Sequence, residues 1–322
     1  MEKIDKDTLA AAGFGDTLPE DYTYKNVVLR DGRKAVVWLH KQTGHGILDS
    51  QYWENQSFYT EDYRSEFGAE IGKKTEASKH LKIYKDLNKK QFDTFSRLLT
   101  DKTRFLEIGC SFGGVFNLVA GSGVALCHGV EPNRQDAAFT QQNNKEAKIY
   151  NTTFENADLS SDFYDIVVIL EVLEHAVSPR GFLQKCFSVL RSGGVIHVEV
   201  PNHDDVLLEV YKDTGYHKFY YHKAHIHYFT EKSLRLLCCE CGFDGRVSSF
   251  LMYPFFNHVW WRQNHEPQPS AVLALSTPIP TNGKTSAEKA INNFYKRVER
   301  EYEDLINSNM LGDCLIFQGR KK

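Results

Sequence analysis

No apolar run in this 322-residue chain approaches the roughly 18 residues that a membrane-spanning helix needs. An excess of positive charge is also missing: 39 Lys and Arg stand against 42 Asp and Glu, for a net charge of -3. That argues against a general polyanion binder, and no basic stripe invites nucleic acid. The first residues, "MEKIDKDTLAAAGFGD", are acidic and polar where a secretory leader is basic and then apolar. The expectation is a cytoplasmic protein whose seven cysteines are thiols. Paired metal-binding cysteines are lacking too. Cys238, Cys239 and Cys241 crowd one apparent helix, and a metal ribbon would need a second pair. They read as buried small hydrophobes. There is no internal repeat and no long low-complexity run.

What is present is an ordinary globular balance, 41% hydrophobic and 25% charged. The length allows one large domain with additions, or two domains. Residues 1–100 read as an N-terminal extension. "NVVLRDGRKAVVWLH" is two β-rich runs around Asp31-Gly32, a hairpin signal. The aromatic segment "QYWENQSFYTEDYRSEFG" follows, in which Tyr59 and Tyr63 are either a lid over a ligand or packing. Apolar spacing then predicts one helix from about Glu76 to Leu99.

From residue 101 to the end the pattern is strand, helix, strand, helix. "RFLEIG", "VALCHGV", "KIYN", "YDIVVIL" and "GVIHVEV" are strands, with helical stretches near 114–120, 133–144, 171–176 and 180–191. Such alternation implies an α/β fold with a doubly wound, parallel sheet covered on both faces. Ligands of these sheets lie at the carboxyl ends of the strands. The residues after Ile108, Val130, Leu170 and Val200 should therefore line one site. Beyond them come a helix (231–241), the strand "RVSSFLMYPF", a Pro-rich segment and an added helix (285–307), then a last strand, "DCLIFQG". The added helix should bury a stripe of Ile291, Phe294, Val298, Tyr302 and Leu305, or offer it to a second copy in a homodimer.

The loop "LEIGCSFGG" places Gly109, Gly113 and Gly114 after the first strand of this domain. A dinucleotide fingerprint would have a middle glycine, and a P-loop would continue in G-K-[ST]. Neither is there. Glu107, at the end of that strand, would repel a phosphate but suits an ammonium or sulfonium. S-adenosylmethionine carries both and has no phosphate. Glu131, in "VEPN", ends the second strand where an acid can accept both ribose hydroxyls.

With "LEIGCSFGG", "VEPN", "FYDIVVILEVLEHAVSP" and "LRSGGVIHVEVPN" in this order, the chain resembles the class I S-adenosylmethionine-dependent methyltransferases over about residues 104–320. The resemblance implies a Rossmann-like, mostly parallel seven-stranded sheet. It also implies a cofactor site of Glu107, Gly109, Cys110, Ser111, Phe112, Gly113, Glu131, Pro132, Thr153, Phe154, Leu170 and Glu171. "HIHYFTEKSLRLLCCECGF" looks like a subgroup that modifies small molecules and sugars, and "RVSSFLMYPFFNHVWW" resembles relatives from surface-polysaccharide and nucleotide-sugar genes. The implied acceptor is a sugar or nucleotide-sugar hydroxyl.

A sugar hydroxyl ionises far above neutral pH, so a general base helps. His175, in "EVLEH", and His225 and His227, in "KAHIHYF", are the candidates. A sharper alternative puts Glu171, Glu174 and His175 at i, i+3 and i+4 on one helical face, where with His227 they could hold Mg²⁺. The resemblance to metal-dependent RNA and ubiquinone-pathway O-methyltransferases, which carry a similar E-x-x-E-H and a later His, points the same way. The competing classes are a nicotinamide oxidoreductase and a cofactor-binding protein without chemistry.

Overall fold

The computed structural model describes residues 3–14, 17–54, 76–278 and 280–322. Tyr59 and Tyr63 lie outside the described residues. The helices are α1 Lys6–Ala11, α2 Ala77–Ile83, α3 Lys85–Phe95, α4 Gly114–Ala120, α5 Arg134–Asn143, α6 Pro179–Val189, α7 Val206–Glu209, α8 Thr214–Tyr220, α9 Glu231–Glu240, α10 Phe255–Asn264, α11 Ala271–Ala274 and α12 Ser286–Ser308. The strands are β1 Tyr22–Val28, β2 Lys34–His40, β3 Gly46–Leu48, β4 Arg104–Ile108, β5 Leu126–Val130, β6 Lys148–Tyr150, β7 Tyr164–Leu170, β8 Leu190–Pro201, β9 His227–Tyr228, β10 Phe243–Phe250 and β11 Cys314–Lys321.

Seven strands form the main sheet in the order β10-β11-β8-β7-β4-β5-β6. Strands β4 to β8 pair in parallel, and β11 runs antiparallel to both of its neighbours. This is the doubly wound, mostly parallel sheet expected. Alternation along each strand divides the core in two. Leu106, Ile108, Val167, Ile169, Val198 and Val200 pack with Phe182, Leu183 and Cys186 of α6 and Leu234 and Leu237 of α9. On the other face Phe105, Ile166, Val168 and Val195 pack with Phe95 of α3 and with Val115, Phe116 and Val119 of α4. Glu107 and Glu199, two positions from Phe105 and four from Val195, point to this second face.

A four-stranded antiparallel sheet, β1-β2-β3-β9, stands beside it. Its first hairpin turns at Asp31-Gly32 as expected, with Gly32 at φ +87°. Its last strand is drawn from the far end of the sequence: His227 pairs with Ile47 and Tyr228 with Gly46.

Three expectations are corrected. The helix expected from Glu76 to Leu99 breaks at Tyr84 (φ −90°, ψ 7°). Only α3 buries side chains, Gln91 and Phe95, because it alone presses on the sheet and on α4. There a Cβ on Gly114 would sit 2.5 Å from Asn88 Nδ2. Cys239 is exposed, while Cys238 and Cys241 are buried as read. Ile291, Phe294 and Leu305 of α12 are exposed. Of the expected stripe Tyr302 does face inward, meeting Phe255 at 4.8 Å; the rest of the inner face is Tyr295, which stacks on Phe256 at 5.3 Å, and buried Ile306. Packing against α10 selects that face.

Candidate functional site

The chain leaves β4 through a loop that only an unusual backbone can trace. Gly109, Ser111 and Gly113 all take the left-handed conformation (φ +80°, +49° and +82°). A Cβ on Gly109 would lie 2.4 Å from Val172 Cγ2, so this loop and the one after β7 touch here. Gly113 caps α4, which aims the start of that helix at the loop. The Ser111 carbonyl accepts from Thr140 at 2.7 Å.

Two acids sit beneath this loop. Glu131, 6% exposed, accepts from the backbone N–H groups of Ser111 and Asn133, each at 2.8 Å. Glu107, 4% exposed, leaves its Oε2 buried with no hydrogen-bond partner among the described residues. Burial, and then the charge of Glu131, push its pKa well above the usual carboxylate value. Cys110 is buried and its thiol pKa is pushed up by burial and by both acids. Phe112 meets His80 and Phe139 edge-on at 5.2 and 6.0 Å. Pro132 follows Glu131 and is half-buried. Thr153 opens the turn Phe154–Asn156 with a buried hydroxyl that has no hydrogen-bond partner among the described residues. Phe154 turns its ring into the core, 4.7 Å from Phe182, so any ligand contact there falls to its backbone. The sequence placed it among cofactor contacts, and apolar packing has claimed the side chain.

Leu170 ends β7, half-buried, and Glu171 follows in the left-handed region (φ +55°). That conformation breaks the helical face expected for Glu171, Glu174 and His175. Only Leu173–His175 form a turn, of the tighter 3₁₀ type. Glu171 is thrown to one side and Glu174 and His175 to the other. The Glu171 carboxylate takes the Cys314 thiol at 3.5 Å and groups with Glu199. Glu174 groups with His175 and His225, at 3.7 and 3.8 Å from their Nε2 atoms. His227 belongs to neither group.

Glu174 is fully buried, and neither of its oxygens is hydrogen-bonded to another residue among those described. Burial first, then the Glu199 charge, raise its pKa to about 8. His175 donates from Nδ1 to the Ala224 carbonyl at 2.6 Å, which fixes its tautomer and leaves Nε2 as the acceptor. Burial lowers its pKa to about 4, so the ring is neutral at pH 7. His225 is likewise held neutral, by burial and by His175. His227 is 1% exposed. Its Nδ1 shares a proton with Nε2 of buried His45 at 3.1 Å, and the backbone of Ala176 and Val177 lies beside the ring. It is set in the seam between the small sheet and the turn after β7.

Sequence reasoning passed over Glu199, Gln91, Cys314 and His45. Glu199 carried a readable signal, an acid at the end of the apolar strand "VIHVEV", as Glu107 is in "RFLEI". It accepts from Gln91 Nε2 at 2.6 Å, and burial raises its pKa to about 7. The others become visible only when α3, β11 and the small sheet are folded against it.

The donor set fits S-adenosylmethionine. It offers a buried carboxylate oxygen with no partner among the described residues for a cation, an acid at the end of β5 for vicinal hydroxyls, and a loop whose left-handed Gly109 and Gly113 let backbone approach the ligand. A family model described as "Methyltransferase domain" matches residues 79–246, just over half of the chain. The ubiquinone biosynthesis O-methyltransferase of Parvibaculum lavamentivorans is 30% identical over 110 residues, 31% of this chain and 40% of that protein. The enzyme of the same name from Nitrobacter winogradskyi is 29% identical over 128 residues, 38% of this chain and 48% of its own length. The chain thus spans less than half the length of each of these relatives. One chain of a solved complex with the Haloferax volcanii Trm112 methyltransferase activator has a TM-score of 0.50 over 76% of this chain and 93% of that one, at 12% identity, a likeness of fold alone.

Proposed function

The chain belongs to the class I S-adenosylmethionine-dependent methyltransferases, and we propose that it moves the methyl group to a hydroxyl of a small acceptor, of the sugar or nucleotide-sugar class. The observation that carries this reading is the pair of buried acids under the left-handed loop: Glu107, whose Oε2 has no hydrogen-bond partner among the described residues, and Glu131, anchored by two backbone donors. In this reading Glu107 holds the methionine ammonium, the loop from Gly109 to Gly113 cradles the carboxylate end, and Glu131 accepts the ribose hydroxyls. Pro132, Thr153, the Phe154 backbone and Leu170 border the adenine side, and Cys110 and Phe112 close the pocket from below. The bound cofactor supplies a methyl carbon already activated by sulfonium. The protein's own work is to place the acceptor and receive its proton.

His175 is the proton acceptor of the proposal. Its Nδ1 donates to the Ala224 carbonyl, which makes Nε2 the ring's accepting nitrogen, and His225 and Glu174 stand next to it. His227 keeps the underlying backbone in place. The relatives' names speak for oxygen as the atom methylated, and the sugar class rests on the sequence resemblance.

A second reading rests on one observation: Glu174, His175 and His225 bring three ligand atoms within 4.8 Å of one another. A divalent ion there would use Glu174 for charge and would lower the pKa of a bound hydroxyl. Transfer of a labelled methyl group to nucleotide-sugar acceptors, run with and without chelator, separates the two. The base reading expects transfer to survive chelator and His175→Ala to cut turnover by roughly 10²–10⁴ with cofactor affinity unchanged. Loss in chelator, restored by Mg²⁺ or Mn²⁺, would replace it with the metal reading. Full turnover in His175→Ala would remove His175 from both.

A further inference from the structure

We propose that Glu171 and Glu199, with Cys314 and Tyr253 beside them, form an acceptor subsite for a protonated amine. The inference rests on the methyl-transfer reading and names a chemical feature of the acceptor. The ligand atoms of Glu171, Glu199 and Cys314 lie within 4.8 Å of one another. Strand pairing places them beside the cofactor loop. β7 lies between β4 and β8, β11 runs antiparallel next to β8, and Leu170 is in register with Glu199 and Cys314 with Pro201. The carboxyl ends of β7 and β8 and the first residue of β11 therefore meet at one point, one strand from Glu107.

These carboxyl groups have acceptors and too few donors. Glu199 is fully buried, its Oε1 takes Gln91, and its Oε2 has no partner among the described residues. Glu174, whose charge acts on Glu171 and which itself feels the charge of Glu199, is fully buried, with both oxygens lacking a hydrogen-bond partner among the described residues. Among the described residues no Lys or Arg forms an ion pair with Glu171 or Glu199. Lys90, whose charge reaches Glu199, is taken by Glu303 at 2.6 Å and by the Leu251 carbonyl at 2.5 Å. Buried acceptors left open carry an uncompensated desolvation cost. A hydroxyl would bring one donor and no charge, whereas a primary ammonium brings three donors and a positive charge.

The acid pair is linked through tyrosines toward the cofactor loop. Tyr253 interacts electrostatically with Glu171, Cys314 and Tyr84. Tyr84 stacks on His80 at 4.4 Å, and His80 meets Phe112 of the cofactor loop at 5.2 Å. A phenol hydroxyl near the carboxyl groups gives an ammonium one further acceptor. A divalent ion suits the group less well. Its third ligand is a thiol whose pKa burial and three acids push up, and metals bind the thiolate.

The test uses the full chain saturated with S-adenosylhomocysteine in the presence of chelator. Glucosamine, N-acetylglucosamine and glucose are titrated in turn by calorimetry. Glucosamine should bind at least ten-fold more tightly than the two neutral sugars. Glu199→Gln, which keeps the shape and the Gln91 neighbour, should abolish that preference while S-adenosylhomocysteine still binds; Glu171→Gln should abolish it too. Equal binding of the three sugars, no binding of glucosamine, a preference that survives in both variants, or one that needs added metal would overturn the inference. Absence of S-adenosylhomocysteine binding in the unmodified chain would instead sink the methyl-transfer reading itself.

Discussion

At the scale of single residues, the site is governed by where carboxylates are left without partners. Glu107 and Glu199 occupy equivalent situations on neighbouring parts of the sheet: each stands near the end of an apolar strand, faces the α3–α4 side and keeps one oxygen without a partner among the described residues. Such groups are tolerated where a ligand completes them. For Glu107 that ligand group is the methionine ammonium. Glu107→Gln should therefore weaken S-adenosylmethionine at least ten-fold and leave adenosine binding almost unchanged, as read by competition calorimetry. Equal losses for both ligands would contradict the assignment. Glu107, Glu131 and the glycine loop were legible because strand ends and glycines leave a local trace in sequence. The partners of His227 were not. His45 reaches it only because β3 pairs with β9 across some 180 intervening residues, and no local pattern encodes that pairing.

At the scale of elements, strand order and alternation followed from the apolar runs, and boundaries were displaced wherever tertiary contact decided them. The stretch after β7 read as helix because Glu171, Glu174 and His175 have helical spacing. The left-handed Glu171 overrides that spacing and sends the two acids to different groups. α12 carries an N-terminal signal that can be tested without touching the site. Thr285 accepts from the Glu288 N–H at 3.1 Å, and Glu288 accepts from the Thr285 N–H at 2.8 Å, a reciprocal cap. Thr285→Ala should lower stability by about 1 kcal/mol in urea unfolding, with S-adenosylhomocysteine affinity unchanged. A loss of cofactor affinity in this variant would mean that α12 is coupled to the loop after β4.

At the scale of the whole molecule, many titratable groups are buried in forms that they do not hold in the unfolded chain. Burial lowers His197 and His227 to about 3, and His203 and His175 to about 4. A histidine whose folded pKa is depressed stabilises the fold above its unfolded value of about 6.5 and loses that contribution as pH falls below it. Glu199 and Glu174 are raised to about 7 and 8. A carboxyl whose folded pKa is raised stabilises the fold at low pH and loses its contribution as pH climbs toward the folded value. Each group alters stability by up to about 1.4 kcal/mol per pH unit within its window. The two sets oppose each other, so the urea midpoint of the ligand-free protein should peak near about pH 6–7 and fall on both sides. A flat profile from about pH 5 to 8 would show that these groups titrate alike in the folded and unfolded chain. The acid limb is reinforced by Asp165, held down at about 2 by Arg104 and Arg191, whose contribution fades as pH drops below its unfolded range.

The most direct test of the central claim is calorimetric titration of the purified chain with S-adenosylhomocysteine, in parallel with Glu131→Ala. The account predicts one molecule bound per chain. It also predicts a loss of about 2–3 kcal/mol in the variant, because two charge-assisted hydrogen bonds to the ribose disappear. Absence of binding, or an affinity that Glu131→Ala leaves untouched, would contradict it.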